Sequence, residues 1–383
     1  MTKKLQQSHY QPFARKYRPK SFSELYGQEV LTKSLSYAIS NNRLVSSYIL
    51  SGMRGVGKTS SARIIAKTIN CQNLQTSADN NVYTCENCQN CHNFNLEKHP
   101  DILEIDAASN TGVDDIRSII EGSEYKPLIG KYKLFIVDEV HMLSKNAFNA
   151  LLKIIEEPPQ HVIFIFATTE IQKIPLTVVS RCQRYDLKRL SHQQIVALIN
   201  KIAQEENIKI DEKAKLIIAE KSEGSARDAV AILDQALNFV NSNNSHYEIK
   251  THMIEKMLGM VNVKVIITML EFIQNGDVDQ AISLVNKLYY DSVNLHILLQ
   301  NILDFIAEIT KMKIADKYIK PTIQNLESEL KVLIAKISLS QLSILWQIFN
   351  EGLKNIKDTH NELSSAEMTI IKAFYASKMP SME

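Results

Sequence analysis

The sequence predicts an α/β fold: a phosphate-loop domain on a parallel sheet, with a zinc-binding insertion, followed by a long stretch that is all helix. Three observations predict it. Strand-length apolar runs alternate with helical patterns up to about residue 190. A complete phosphate-loop pattern lies between one such strand and the helix after it. From Ser191 onward the strand pattern stops and apolar residues recur at helical spacing.

The elements follow in order. Tyr48–Ser51 reads as a short strand ending at Gly52. The helix behind the loop places Ala62, Ile65, Ala66 and Ile69 on one face. Further strands are expected at Ile102–Ile105, Leu134–Asp138 and Val162–Thr168, with a short fifth at Arg184–Leu187. Runs apolar on both faces suit a parallel sheet covered by helices on each side. Ser191-His-Gln-Gln194 has capping-box spacing, and Ile195, Leu198, Ile199 and Ile202 follow at helical period. Asp211 and Ser225 are expected N-caps, and the polar stretch 241–246 is an expected loop. Beyond about Thr251 the pattern stays helical, with Leu284, Leu288, Leu295, Leu298 and Leu299 among its apolar stripes. The expected domains are 1–190, with a cysteine module at about 70–92, then 191–250 and 251–383.

Composition sets bounds. Of 383 residues 45% are hydrophobic, enough for a sizeable core, so a disordered chain is excluded. Net charge is +2, so bulk charge argues neither for nor against nucleic acid. No run approaches the ~20 apolar residues that span a bilayer. The basic first twenty residues lack the apolar stretch of a leader, so a cytoplasmic protein with no membrane partner is expected.

Residues Gly52, Met53, Arg54, Gly55, Val56, Gly57, Lys58 and Thr59 fit the G-x-x-x-x-G-K-[ST] phosphate loop in full. Glycines let backbone N–H groups turn inward around phosphate oxygens, and the helix start adds a positive dipole end. Lys58 is expected against the β- and γ-phosphates and the Thr59 hydroxyl on Mg²⁺, with ATP as the bound nucleotide. Asp138 and Glu139 close an apolar strand downstream, where Asp138 can hold the Mg²⁺ and Glu139 can take a proton from an attacking water. Alone, that acidic pair is equally a solvated strand end; its place after the loop is what raises it.

Four of the five cysteines cluster, with spacing C-x13-C-x2-C-x2-C from Cys71 through Cys85 and Cys88 to Cys91. Two successive C-x2-C steps bring three thiolates together, and Cys71 can close a tetrahedral site. A site of four protein thiolates is structural, and it staples a loop too polar to make its own core. Zinc is the reading, although spacing does not separate zinc from iron. The competing reading is a set of free or redox-active thiols. His92 is expected at the surface and Cys182 as a buried small apolar residue.

Several segments now read together. They are Arg18-Pro-Lys-Ser-Phe-Ser-Glu-Leu-Tyr-Gly-Gln28, Lys133-Leu-Phe-Ile-Val-Asp-Glu-Val-His-Met-Leu143 and Asn149-Ala-Leu-Leu-Lys-Ile-Ile-Glu-Glu-Pro-Pro159. Ala167-Thr-Thr169, Ser180-Arg-Cys182 and Gly224-Ser-Ala-Arg-Asp228 complete the set. With the cysteine insertion they resemble the bacterial clamp-loader ATPases, and within them the gamma/tau subunit family of DNA polymerase III. The motifs cover about residues 14–235. The resemblance implies an AAA+ ATPase domain, a helical lid and an all-α collar that assembles a ring. It implies Lys58, Thr59, Asp138 and Glu139 in the roles above, Thr169 (with Thr168 one step away) as the residue sensing the γ-phosphate, and Arg227 as the lid arginine reaching the nucleotide. Arg181 is implied as the finger offered to a neighbouring subunit's ATP, and Ala14, Arg18 and Pro19 as lining the adenine pocket. Each has a bland alternative: a surface cation, an ion pair with Asp228, a strand-end threonine.

What the resemblance implies is a DNA-stimulated ATPase that loads the sliding clamp on primer–template DNA, working with other clamp-loader subunits. Polymerase chemistry, a nucleotidyltransferase reaction, is expected in another subunit. DNA contact is expected through phosphates, with Lys145 and Lys153 as candidates. The cysteine gap is longer than expected, and the chain ends at the collar, so polymerase and helicase contacts are doubtful here. Two other readings stay open: a non-catalytic loader subunit, against which the intact Lys58-Thr59 and Asp138-Glu139 argue, and a different AAA+ machine such as a Holliday-junction helicase, against which the cysteine insertion and Ser180-Arg181-Cys182 argue.

Overall fold

The structure, a computed structural model, describes residues 10–77, 81–241, 248–291, 293–315, 327–359 and 361–377. Of the expected loop at 241–246, only Asn241 lies among them. The chain divides into two compact units: Met1–Ile208 with Ile218–Gln235, and Lys209–Ile217 with Ala236–Glu383.

In the first unit, α1 (Phe13–Lys16) and α2 (Glu29–Ser40) precede β1 (Ser47–Ser51) and α3 (Lys58–Asn70). A short antiparallel pair, β2 (Gln75–Thr76) and β3 (Val82–Tyr83), and α4 (Gln89–Asn95) make the insertion. Then come β4 (Ile102–Asp106), α5 (Val113–Glu124), β5 (Lys133–Asp138), α6 (Lys145–Glu156), β6 (Val162–Thr168), α7 (Leu176–Val179) and β7 (Gln183–Asp186). These strands form a parallel sheet in the order β4-β5-β6-β1-β7, so all five expected strands are present. Alternate residues point to opposite faces. Tyr48, Leu50, Leu134, Ile136, Ile163 and Ile165 pack with α2 and α3 on one face. Ile49, Phe135, Val137, Phe164 and Phe166 pack with α5 and α6 on the other. The central strands therefore read as continuous apolar runs. Their carboxyl ends present Ser51, Asp106, Asp138 and Thr168 on one side of the sheet, where ligands of open parallel sheets bind.

Helix α8 (His192–Glu205) starts with the expected capping box, Ser191 and Gln194 bonding reciprocally. β8 (Lys209–Ile210), α9 (Glu212–Lys221), α10 (Ala226–Asn241) and β9 (Glu248–Ile249) follow. Ser225 caps α10, its hydroxyl accepting from the Asp228 N–H at 3.2 Å. The Asp211 carboxylate accepts from the backbone and hydroxyl of Thr251, at 2.9 and 3.1 Å. Strands do not stop at Ser191: β8 and β9 pair in parallel. Two residues per strand are too few to leave a period.

The second unit continues with α11 (Thr251–Met257), α12 (Val263–Asn275), α13 (Val278–Tyr290) and α14 (Leu295–Ile314). It ends with α15 (Glu327–Lys336), α16 (Leu339–Asp358) and α17 (Glu362–Ser377). Leu295, Leu298 and Leu299 are fully buried in its core, with Leu284 and Leu288 packed against it. Among the described residues no single helix is long and apolar enough to cross a membrane.

Candidate nucleotide-binding site and cysteine cluster

The phosphate loop turns from β1 into α3 through Gly55 and Gly57, at φ of 82° and 100°. At Gly55 a Cβ would stand 2.0 Å from Ser225 Oγ, so only glycine lets the loop lie this close to the start of α10. No side chain caps α3, which leaves its first-turn amides to an anionic partner. Lys58 is buried and donates to the carbonyls of Gly52 and Met53, both at 3.0 Å. Burial pulls its pKa down, while Glu139 and Asp138 pull it back up.

Thr59 donates its hydroxyl to Asp138 Oδ2 at 2.5 Å. The pair offers hard oxygen donors side by side, the donor set that suits Mg²⁺. Glu139 stands in the left-handed region at φ 45°, sparsely populated for a residue with a Cβ. Its Oε2 accepts from the Thr169 hydroxyl at 3.1 Å and the Thr169 N–H at 3.3 Å. Thr168 is fully buried, its Oγ1 3.0 Å from His141 Nδ1 and accepting from the Glu170 N–H at 3.0 Å. Of the two threonines, Thr169 is therefore the one that meets the acidic pair.

Lys58, Thr59, Asp138, Glu139 and Thr169, but not Gly52 or Thr168, line a cavity of 1060 Å³ together with Ala14, Arg18, Pro19, Met53, Arg54, Gly55, Val56, Gly57 and Arg227. Tyr26, Leu198 and Val230 add an apolar wall. Carboxylates from α10 and from the C-cap residue of α8 fix the segment carrying Ala14 to Pro19. Asp234 accepts from the Phe13 N–H at 3.0 Å and from the Tyr10 hydroxyl, and Glu206 accepts from Lys16 and Tyr17. Arg18 Nε donates to Ser60 Oγ at 3.3 Å, and its burial lowers its pKa. The Arg227 N–H donates to the Gly55 carbonyl at 3.3 Å. Arg181 does not line this cavity. It is exposed, pairs with Glu156 at 2.8 Å and donates to the Thr177 carbonyl at 2.8 Å. Lys145 and Lys153 lie on the exposed face of α6.

The four cysteines converge. Cys71 ends α3, Cys88 caps α4, and all four sulfurs lie within 4.8 Å of one another. Cys71 and Cys85 Sγ are 3.6 Å apart. Zn–S bonds of about 2.3 Å in a tetrahedron need sulfurs about 3.8 Å apart, so the cluster fits zinc. Burial raises the Cys71 thiol. Burial pushes Cys88 up too, but the Cys91 and Gln72 N–H groups outweigh it and bring it to about 6. His92 is exposed, as expected. Cys182 is only half-buried, packed against one face of the sheet core, and burial pushes its thiol to about 12.

Sequence reasoning missed Lys67, Glu86, Asp106 and His141. Lys67, buried inside α3, pairs with Glu86 between the cysteines at 2.6 Å and ties the module to the helix. Asp106 ends β4 beside Asp138. His141, two residues beyond Glu139, lines the cavity. Only its closeness to the acidic pair could have marked it.

Family models match most of the chain: "DNA polymerase III, delta subunit" at residues 27–191, "DNA polymerase III clamp loader subunit, ATPase lid domain" at 194–242, and "DNA polymerase III subunits gamma and tau domain III" at 249–383. The tau subunit of Escherichia coli is 33% identical over 372 residues, covering 97% of this chain and 56% of that protein. The chain thus spans little more than half the length of that relative. The tau subunit of Bacillus subtilis is 36% identical, covering 95% of this chain and 63% of that protein. The gamma subunit of Buchnera aphidicola subsp. Schizaphis graminum is 35% identical, covering 95% of this chain and 98% of that protein. Among solved structures, Thermotoga maritima RuvB aligns at a TM-score of 0.49 with 21% identity, covering 67% of this chain and 79% of that one. Aligned nearly end to end with a gamma subunit at 35% identity, the chain belongs to the gamma/tau subunit family of DNA polymerase III.

Proposed function

We propose that this chain is the ATP-hydrolysing subunit of a bacterial replicative clamp loader, an AAA+ protein of the cytoplasm. It uses ATP binding and hydrolysis to place the sliding clamp on primer–template DNA. One observation carries the reading: Lys58, the Thr59–Asp138 pair and the Glu139–Thr169 pair converge on one cavity. Lys58 exchanges two loop carbonyls for the β- and γ-phosphates. Thr59 and Asp138 hold Mg²⁺, which when bound offsets phosphate charge. Glu139 takes the proton of the water whose oxygen attacks the γ-phosphorus, and ADP leaves with the electrons of the broken P–O bond. Thr169 turns from Glu139 to the γ-phosphate, Arg227 reaches the nucleotide from the lid, and Ala14, Arg18 and Pro19 border the adenine. Cys71, Cys85, Cys88 and Cys91 hold a structural zinc. Arg181 serves a neighbouring subunit's ATP, so hydrolysis waits on assembly.

The experiment is ATP turnover by the reconstituted loader, with and without clamp and primed DNA. Stimulation by both is expected, and a Lys58→Ala chain abolishes it. An unstimulated rate rejects the loader reading. A Lys58→Ala loader that works normally makes the chain a non-catalytic scaffold.

A further inference from the structure

His141 takes no part in the scheme above, yet it is a buried polar side chain beside Glu139. Its side chain is 6% exposed. Nδ1 lies 3.0 Å from Thr168 Oγ1 and 3.4 Å from Glu139 Oε2. Nε2 faces Glu170 Oε1 at 3.5 Å. Glu170 is itself fixed, its N–H on Thr168 Oγ1 at 3.0 Å and its carboxylate on Lys173 at 2.9 Å. The imidazole thus sits in a closed frame made by the end of β6 and the turn after it.

Glu139 has no such frame of its own. Its side chain is 30% exposed and swings on three single bonds. Among the described residues, only Thr169 and His141 touch its Oε2. When the Thr169 hydroxyl turns to the phosphate, the Thr169 N–H and His141 remain, and His141 is the one side chain among the described residues still beside that oxygen. We infer that His141 is the positioning residue of Glu139, holding the carboxylate toward the attacking water while Thr168 and Glu170 hold the ring. The inference rests on the reading of Glu139 as proton acceptor.

The test measures ATP turnover by the full chain assembled with its partner subunits, clamp and primed DNA, together with ATP affinity and thermal melting. His141→Phe keeps a ring and removes both nitrogens. It is expected to lower kcat roughly ten- to a hundredfold, the cost of a misplaced reacting group, with KM for ATP and melting unchanged. Asparagine reaches about as far as Nδ1 and glutamine as far as Nε2. His141→Asn therefore recovers most of the rate and His141→Gln little. Adding His141→Phe to Glu139→Gln changes the residual rate no further. A wild-type kcat in His141→Phe, KM rising in step with the loss, or a further fall in the Glu139→Gln background overturns the inference. Should His141→Phe fail to fold, equal rates for the Asn and Gln variants overturn it. Glu139→Gln alone at the wild-type rate rejects Glu139 as proton acceptor, whatever His141 does.

Discussion

Gly55 and Gly57 are both left-handed, but for different reasons. A Cβ at Gly57 meets nothing within 4 Å, so alanine there carries backbone strain alone, about 1 kcal/mol. At Gly55 the same strain is joined by a collision with the Ser225 hydroxyl at 2.0 Å, which either breaks the α10 cap or moves the loop. Gly55→Ala is expected to cost roughly 2–3 kcal/mol and to weaken ATP binding, and Gly57→Ala about half as much. Denaturant melts of both variants check this, and the reverse order would refute the packing argument. The same contrast explains what was legible residue by residue. Lys58, Thr59, Asp138 and Glu139 were legible because phosphate chemistry demands those types in a local pattern. His141 was not, because its partners Thr168 and Glu170 come from the end of β6 and the turn after it.

The insertion is an element whose chemistry is local and whose anchoring is not. Cysteine spacing announced the cluster, but nothing nearby announced that buried Lys67 would pair with Glu86. If the cysteines hold a zinc as proposed, a chelator should release one ion per chain and raise amide exchange across residues 71–95, while Lys58 and its loop stay protected. Protection unchanged throughout would mean that the thiols need no metal to hold the module. A second non-local anchor is Asp101, 1% exposed, which accepts from the N–H groups of Leu128, Ile129 and Gly130 at 2.7, 2.8 and 2.7 Å. Burial pushes its carboxyl up, but the three amides outweigh it and hold the pKa below the ordinary value. The unfolded chain then binds the proton more readily, so this stability is complete above the unfolded carboxyl pKa, about 3.9, and is lost as pH falls through the folded value. Asp101→Asn is expected to cost about 2 kcal/mol at neutral pH. The gap from wild type should narrow below about pH 4. Urea melts at both pH values decide it, and a gap independent of pH would show that charge is not what holds the turn.

Across the whole molecule, alternation of strand and helix was readable because each inner strand is apolar on both faces. The β8–β9 pair was not, since two residues carry no period. The role proposed for Arg181 belongs to this scale: its guanidinium is held by Glu156 and the Thr177 carbonyl of its own chain, outside the lining of its own cavity. An exposed ion pair contributes at most about 1 kcal/mol, so Arg181→Ala should scarcely change melting or ATP affinity. If the arginine instead completes a neighbour's site, its loss removes charge stabilisation at the transferring phosphoryl group only in the assembly, a fall of about a thousandfold. The two cases separate by measuring turnover of the isolated chain and of the reconstituted loader. The expected result is an unchanged low rate for the isolated variant and a collapse of the DNA-stimulated rate in the loader. A proportional loss in both would place the arginine's effect within its own subunit and remove the physical basis for gating hydrolysis by assembly.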